Sequence, residues 1–476
     1  FSFALSATVV TSLVTFLSVL VLPKFIGVED FSYWQLYLFY ISYVGILHFG
    51  WADGIYLRYG GSEYRNLDKQ VIGAQFWLIL VFETLIMLGI ALGAMIFVPE
   101  GPRELILIFT GINCLLLNVR AFIQFLLQGT NRIKEFARNV ILEKLIFVSL
   151  STAMLLLGAN QFEYFLYADT FAKLVMLLSL CFVCKDIVFA KPQGITKAIK
   201  EAMQNIFSGV NLLLANIASL LIIGIFRFAI ERQWDVIVFG KTSLILSIAT
   251  MLMIFINAAS VTIFPIVKRT SLENRSEIYH MLRTILMTIS LGFLVLYYPI
   301  YVALNYWLPD YSDFLVYLVI LLPLCVYEAK NQLLTGTYLK VFRKERSMLM
   351  VNIISLLVAA VVVFVTAFVI RDIVFVLFGL LSVIMFRSFF GEIIVSRAIK
   401  FNMLKDMIYE ILLTIGFVIS GILIGGLTGS GLYAAMYLAY LFIKRQDIAS
   451  SIRLFRGNRN DNSKVPEVNN RDRKKS

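Results

Sequence analysis

The sequence predicts an all-α polytopic membrane protein. It has about fourteen transmembrane helices, two six-helix lobes related by a parallel pseudo-two-fold repeat, and two extra helices near the C-terminal end. Three observations lead there. The chain is 60% hydrophobic and only 15% charged, with a mean hydropathy of +0.84, whereas soluble domains carry closer to ~25% charged residues. Its apolar runs are long enough to cross a ~30 Å hydrocarbon core as helices. Finally, the basic residues alternate from one set of loops to the other along the chain.

In chain order the apolar runs are about 2–22, 33–56, 71–98, 104–128, 138–158, 162–184, 205–230, 236–267, 279–304, 314–338, 348–370, 373–395, 407–425 and 427–443. One set of connections holds Arg58, Arg65 and Lys69, then Arg132, Lys134 and Arg138, then Lys185 to Lys200. It continues with Lys268 to Arg283, Lys340 to Arg346, Arg397 to Lys405 and the tail from Lys444. The opposite set holds only Lys24, Arg103, Arg232 and Arg371. Cytoplasmic loops are the Lys/Arg-rich ones, so both termini are expected in the cytoplasm. The formal net charge of +12 therefore belongs to membrane topology, and no nucleic-acid partner is expected. The sequence begins at Phe1, inside an apolar run, so a few residues are expected before it, and no cleavable signal peptide is expected.

An internal repeat divides the chain. Leu126-Leu127-Gln128-Gly129-Thr130 closes the fourth run and Leu333-Leu334-Thr335-Gly336-Thr337 closes the tenth, each before a basic loop. Glu29-Asp30-Phe31-Ser32 and the Asp235–Gly240 stretch match at nearly the same offset. The expected organisation is a lobe over 1–184, a cytoplasmic amphipathic linker over 185–204, a second lobe over 205–395, two extra helices over 396–443 and a basic tail over 444–476. Parallel repeats place a substrate site between the lobes. In the linker, Ile195, Ile199, Met203 and Ile206 share one helical face, with Lys197, Lys200 and Glu201 on the other.

The stretch 205–268 is the centre of the functional argument. Its two runs carry Arg227 and Lys241, each a full charge where apolar residues are expected. A cation at the centre of a membrane helix costs roughly 2.5–3.5 kcal/mol on insertion scales. Two readings stand: both side chains snorkel to water near the outer ends, or both face a basic cavity for an anionic substrate. Arg120 lies well inside the fourth run, in line with Asn113, Gln124 and Gln128. Thr8, Thr11, Thr15 and Ser18 form a stripe on the first run, and Ser243, Ser247, Thr250 and Asn257 on the eighth. Such stripes also serve as glue between helices. Asp169 and Lys173 are spaced to pair, whereas Glu328 and Lys330 do not share a face. Counting Glu83, Glu143, Asp169 and Glu328 as the acidic residues within runs, the interior surplus is basic. Asp53 and Arg58 stand at the cytoplasmic mouth of the second run.

The sequence lacks a P-loop, a zinc-protease motif and a nucleophile elbow. With only His48 and His280, a histidine metal site is not expected, and no cofactor is expected. Cys114, Cys181, Cys184 and Cys325 read as buried small residues. The short outer loops leave no room for an external catalytic domain, so an enzyme is not expected.

The run Leu22-Pro23-Lys24-Phe25-Ile26-Gly27-Val28-Glu29-Asp30-Phe31-Ser32-Tyr33-Trp34 resembles the first hairpin of bacterial polysaccharide-export flippases. These belong to the multidrug/oligosaccharidyl-lipid/polysaccharide exporter superfamily. Ala52-Asp53-Gly54-Ile55, Arg58-Tyr59-Gly60 and the Phe239-Gly240 turn are similar to that family too. The resemblance implies a flippase of the bacterial inner membrane for undecaprenyl-diphosphate-linked oligosaccharides, with membrane lipids around it and a proton or sodium ion as coupling partner. It implies a basic cavity lined by the first, second, seventh and eighth helices. Lys24, Arg58, Arg227 and Lys241 become candidates for the diphosphate and acidic sugars. Arg120 joins them on burial alone and Asp53 by its place at the mouth. The runner-up is a drug or cation/proton antiporter of the same superfamily, which would favour acidic residues in the cavity.

Overall fold

The computed structural model describes residues 2–191, 194–251, 275–399 and 403–461, together with 253, 256 and 267. Among them there is no strand. Asn257, Lys268, Lys400 and the tail beyond 461 lie outside the described residues, as does most of the second half of the eighth run; the Thr8 side chain does too. Among the described residues, eleven helices are long and apolar enough to cross a membrane, and the shorter apolar helices Val10–Phe25 and Val236–Ala249 join them.

The first half runs through α1 (Ser2–Phe25), α2 (Val28–Ile41), α3 (Trp51–Tyr59), α4 (Lys69–Phe97), α5 (Pro102–Gly129), α6 (Ile133–Leu156) and α7 (Phe162–Val183). The second run, expected as one helix over 33–56, is broken. Between α2 and α3 the chain makes a 3-10 turn at Val44–His48, and Phe49 and Gly50 then adopt left-handed backbone, φ 52° and 83°. An α-helix cannot continue through that conformation. Irregular backbone at membrane depth persists only where protein groups satisfy it. Here Asn118 Nδ2 donates to the Val44 carbonyl at 3.1 Å and the Gly50 amide donates to His48 Nδ1 at 3.1 Å.

After the short α8 (Lys185–Val188) comes α9 (Ile195–Gln233), a single helix of 39 residues, about 58 Å long. The linker expected over 185–204 is therefore not a separate surface helix, because most of it continues without a break into the seventh run. Its expected apolar stripe faces outward: Ile195, Ile199 and Met203 are exposed, while Ala198, Ala202, Asn205 and Gly209 are buried. The small residues are what allow α9 to lie against α3. A Cβ on Gly54 would sit 1.8 Å from the Asn205 carbonyl oxygen, and one on Gly209 would sit 2.0 Å from that of Gly50. Gly50 and Gly54, at i, i+4 spacing, thus pack against the backbone of α9 at Asn205 and Gly209. Since the obstructing atoms are backbone, Gly54→Ala is expected to destabilise the fold by about 1–3 kcal/mol. A lowered melting temperature in detergent, with Ile55→Ala as a nearby core comparison, is the measurement.

The second half continues with α10 (Val236–Ala249), α11 (Arg275–Trp307), α12 (Leu318–Val341), α13 (Arg346–Ile370), α14 (Ile373–Ile399), α15 (Leu404–Ile424), α16 (Gly426–Ile443) and α17 (Arg445–Asp461). Gly129 ends α5, but its repeat counterpart Gly336 lies inside α12, in a π-turn over Asn331–Gly336. Arg283, placed by loop charge on the basic side, is buried in α11. Its Nε donates to Glu392 at 2.5 Å, a second nitrogen reaches Glu410, and a third lies 3.3 Å from Asp406. Lys330 Nζ bridges the same two glutamates at 2.7 Å each and sits 4.2 Å over the Phe389 ring. Glu410 belongs to α15 and Glu392 to α14. This network therefore binds the last helices to the second half, where the sequence treats them as an appendage.

The halves meet on the side of the charge-poor loops. Trp307 Nε1 donates to the Leu20 carbonyl at 2.8 Å, Phe31 stacks edge-on with Tyr311 at 5.9 Å, and Arg103 reaches Glu231 at 3.3 Å. Beneath them α2 and α10 touch closely: a Cβ on Gly240 would lie 2.0 Å from Ser32 Oγ.

Candidate substrate site

Arg227 sits at this seam, in the last turns of α9, where α2 and α10 close over it. Its guanidinium carbon lies 4.9 Å from the Phe39 ring and 5.3 Å from the Phe239 ring, and one terminal nitrogen donates to Ser243 Oγ at 3.1 Å. The Nε is buried without a hydrogen-bond acceptor. Among the described residues no carboxylate pairs with it. The rings hold the guanidinium plane by cation–π attraction, and the Ser243 stripe of α10 supplies one hydroxyl. The arrangement keeps a full positive charge oriented, with hydrogen-bonding capacity left over.

The other candidates are placed differently. Lys241 lies on the same side of the membrane as Arg227, but its Nζ is held by both oxygens of Asp313, at 2.8 and 2.7 Å. Asp313 is itself half-exposed, so that pair opens to solvent. Lys24 is exposed and lies 5.4 Å over the Trp307 ring. Arg58 is at the far end of α9 from Arg227. It donates to the Glu201 carbonyl at 3.1 Å, to Asn205 Oδ1 at 2.6 Å and to Gln204 Oε1 at 2.9 Å. Twenty-two residues of helix between Asn205 and Arg227 span about 33 Å. Arg58 and Arg227 therefore cannot hold one diphosphate together in this state. Asp53 is buried near His48, 3.8 Å away, with Oδ2 lacking a hydrogen-bond partner. Arg120 is inside the first half, paired with Glu143 of α6. Lys144 shares that carboxylate at 3.2 Å, so two cations stand on one anion there.

The pairings correct the expected interior surplus. Asp169 and Lys173 do pair, with Tyr37 donating to the same carboxylate at 2.7 Å. Glu328 and Lys330 do not; Glu328 takes Arg387 at 3.0 Å instead. Glu392 and Glu410 belong with the interior acids as well, since both lie inside apolar runs. They neutralise Arg283 and Lys330, which leaves Arg227 as a cation of the second half without a carboxylate among the described residues. The signal for them is present in the sequence, as carboxylates within runs 373–395 and 407–425. Glu83 is the opposite case: fully buried, it accepts from Asn118 at 3.0 Å and from the Cys114 thiol at 3.4 Å, and no cation pairs with it among the described residues. Among those residues no cluster of His, Cys, Asp and Glu could hold a metal ion, and the four cysteines are free.

Several solved structures of transporters have a similar arrangement. An inward-facing multidrug-resistance MATE transporter of the MOP superfamily superimposes with a TM-score of 0.64 at 13% identity, over 83% of this chain and 98% of that one. The lipid II flippase MurJ, in an inward closed conformation, matches with a TM-score of 0.54 at 14% identity, over 91% of this chain and 98% of its own. This chain shares the fold of these proteins. An outward-facing MATE structure matches with a TM-score of 0.51 at 13% identity, over 83% and 96%. No protein-family model matches the sequence, and no curated protein matches it. The seam that holds Arg227 runs between the two halves of this fold.

Proposed function

We propose that this protein is a flippase. It moves an undecaprenyl-diphosphate-linked oligosaccharide, such as an O-antigen, capsule or exopolysaccharide unit, from the cytoplasmic to the outer leaflet by alternating access. The lobes are 1–184 and 205–395, joined through 185–204, with 396–443 carried on the second lobe and 444–476 as a basic tail. The observation that carries this reading is Arg227, an oriented guanidinium at the seam between the two halves, with no carboxylate partner among the described residues. A diphosphate cannot cross hydrocarbon unaided, whereas its lipid tail need never leave it. Arginine suits phosphate oxygens through paired hydrogen bonds. Arg120, sharing Glu143 with Lys144, adds positive potential from the first lobe; Lys241, Lys24, Arg58 and Asp53 line the path at its two ends.

The direct experiment reconstitutes the protein in vesicles containing undecaprenyl-diphosphate-linked N-acetylglucosamine. With the flippase present, a membrane-impermeant reagent outside should reach the sugar of both leaflets; without it, only the outer leaflet's. Labelling confined to the outer leaflet in both samples would sink the proposal. A proton or sodium ion completes the reading as coupling partner.

One observation favours the second reading, a drug or cation/proton antiporter. Glu83 and Asp53 are buried carboxylates of the first half, and no lysine or arginine pairs with either among the described residues. Competition separates the two: a cationic dye that displaces no polyprenyl diphosphate, yet is exported, favours the antiporter. The proposed location is the bacterial inner membrane with both termini cytoplasmic. A reporter fused after Ser476 should stay inaccessible from outside intact cells; access there would reverse the topology.

A further inference from the structure

A second polar feature lies in the same half of the molecule as Arg227, further toward the N-terminal end of α9. A cavity of about 360 Å³ opens between α9, α12, α13 and α14, with Asn216, Ser219, Gln332, Thr335, Asn352 and Arg387 in its wall. Sites for small molecules run from roughly 300 to 1,000 Å³, so the space suits a few polar rings and is too small for a polyprenyl tail.

Its chemistry differs from that at Arg227. Arg387 is neutralised by Glu328 at 3.0 Å, and its other nitrogens donate to Asn352 Oδ1 at 3.1 Å and to Ser219 Oγ at 2.6 Å. The guanidinium has no charge to spare for a phosphate. What is left over is neutral hydrogen-bonding capacity. Thr335 is almost fully buried, yet its hydroxyl has no partner. Asn216 and Gln332 are exposed at the rim, and neither makes a side-chain hydrogen bond among the described residues. Amide side chains facing lipid would go unsatisfied at a cost, so this rim faces water or a polar ligand. Lys340 stands at the loop end of the rim, exposed. Amides and a hydroxyl, each able to donate and accept, match the hydroxyl and acetamido groups of a sugar.

The cavity is also in line with Arg227. Asn216 and Arg227 are eleven residues apart on α9, three turns, which returns them to nearly the same face about 16 Å apart. A diphosphate at Arg227 and a saccharide extending along α9 would reach it.

We propose that this cavity is a saccharide subsite, which reads the glycan of the lipid-linked substrate while Arg227 holds its diphosphate. The inference rests on the flippase reading, and the experiment separates the two. Binding of undecaprenyl diphosphate and of undecaprenyl-diphosphate-linked N-acetylglucosamine to the purified full-length protein would be compared by native mass spectrometry. The wild type is expected to hold the sugar-bearing lipid about tenfold more tightly, the worth of one or two neutral hydrogen bonds. Thr335→Val, which keeps the side chain's shape, and Asn216→Ala are each expected to reduce that preference several-fold while the plain diphosphate binds as before. Arg227→Ala is expected to weaken both lipids together. Equal binding of the two lipids by the wild type, or a preference that survives both substitutions, overturns the subsite and leaves the flippase standing. Failure of either lipid to bind the wild type overturns both.

Discussion

Arg227→Ala is expected to abolish flipping of the lipid-linked sugar in reconstituted vesicles while the protein remains folded and abundant. Lost activity and retained fold have one cause. Arg227 breaks no ion pair when it is removed, because no carboxylate meets it among the described residues. Its contacts are Phe39, Phe239 and the Ser243 hydroxyl. Exposed or partly desolvated cation–π contacts are worth roughly 0.5–2 kcal/mol, and losing them is offset by relief of a buried, under-satisfied charge. A diphosphate, however, would lose its charge-assisted hydrogen bonds, about 1.5–3 kcal/mol each. Arg227→Lys keeps the charge and forfeits the paired geometry, so partial activity is expected. Lys241→Ala should impair flipping less, because Asp313 already compensates that charge. Normal flipping by Arg227→Ala, with the protein correctly inserted, removes Arg227 from the site and the main support of the flippase reading with it.

Lys330→Met is expected to be the most damaging single substitution for stability. Lys330 is fully buried and holds Glu392 and Glu410 at 2.7 Å each, with Arg283 on the other side of both. Removing one member of a buried ion network leaves an uncompensated charge and costs about 3–5 kcal/mol. In this case two glutamates would be left on one arginine. The expected result is little protein in the membrane and a sharply lowered melting temperature of what remains. The double substitution Lys330→Met with Glu410→Gln restores charge balance around Arg283 and Glu392. It is expected to recover much of the loss, since buried pairs replaced as a unit are close to neutral in stability. A single mutant that melts like the wild type, or a double mutant worse than the single, would show that the network does not hold α14 and α15 to the second half.

Both outcomes turn on ion pairing, which the sequence shows only where the partners are close in the chain. Lys173 was legible because its partner, Asp169, is four residues away on the same helix. Lys241 was not, because Asp313 comes from a different helix, and neither was Arg283, at the start of the run 279–304, because its partners Glu392 and Glu410 lie on other helices. The broken second segment was hidden for a related reason. Residues 33–56 are apolar throughout, and composition does not reveal that Phe49 and Gly50 turn left-handed. Asn118 makes the break tolerable, and it is contributed by α5. The long α9 escaped in the opposite direction: the change from amphipathic to apolar at about residue 205 reads as a boundary, yet the helix passes through it because Gly209 fits against α3.

Run length, loop charge and helical periodicity are local sums along the chain, so the sequence alone sufficed for an all-helical membrane protein and for a list of cations within its apolar runs. Which of those cations keeps a charge to offer depends on whether a distant helix brings a carboxylate within about 4 Å. Coulomb energy in a low-dielectric interior falls off with that separation and not with distance along the chain. Only packing could therefore single out Arg227, between two aromatic rings, from Lys241, Lys330 and Arg387, each matched by a carboxylate, and from Arg120, which shares Glu143 with Lys144.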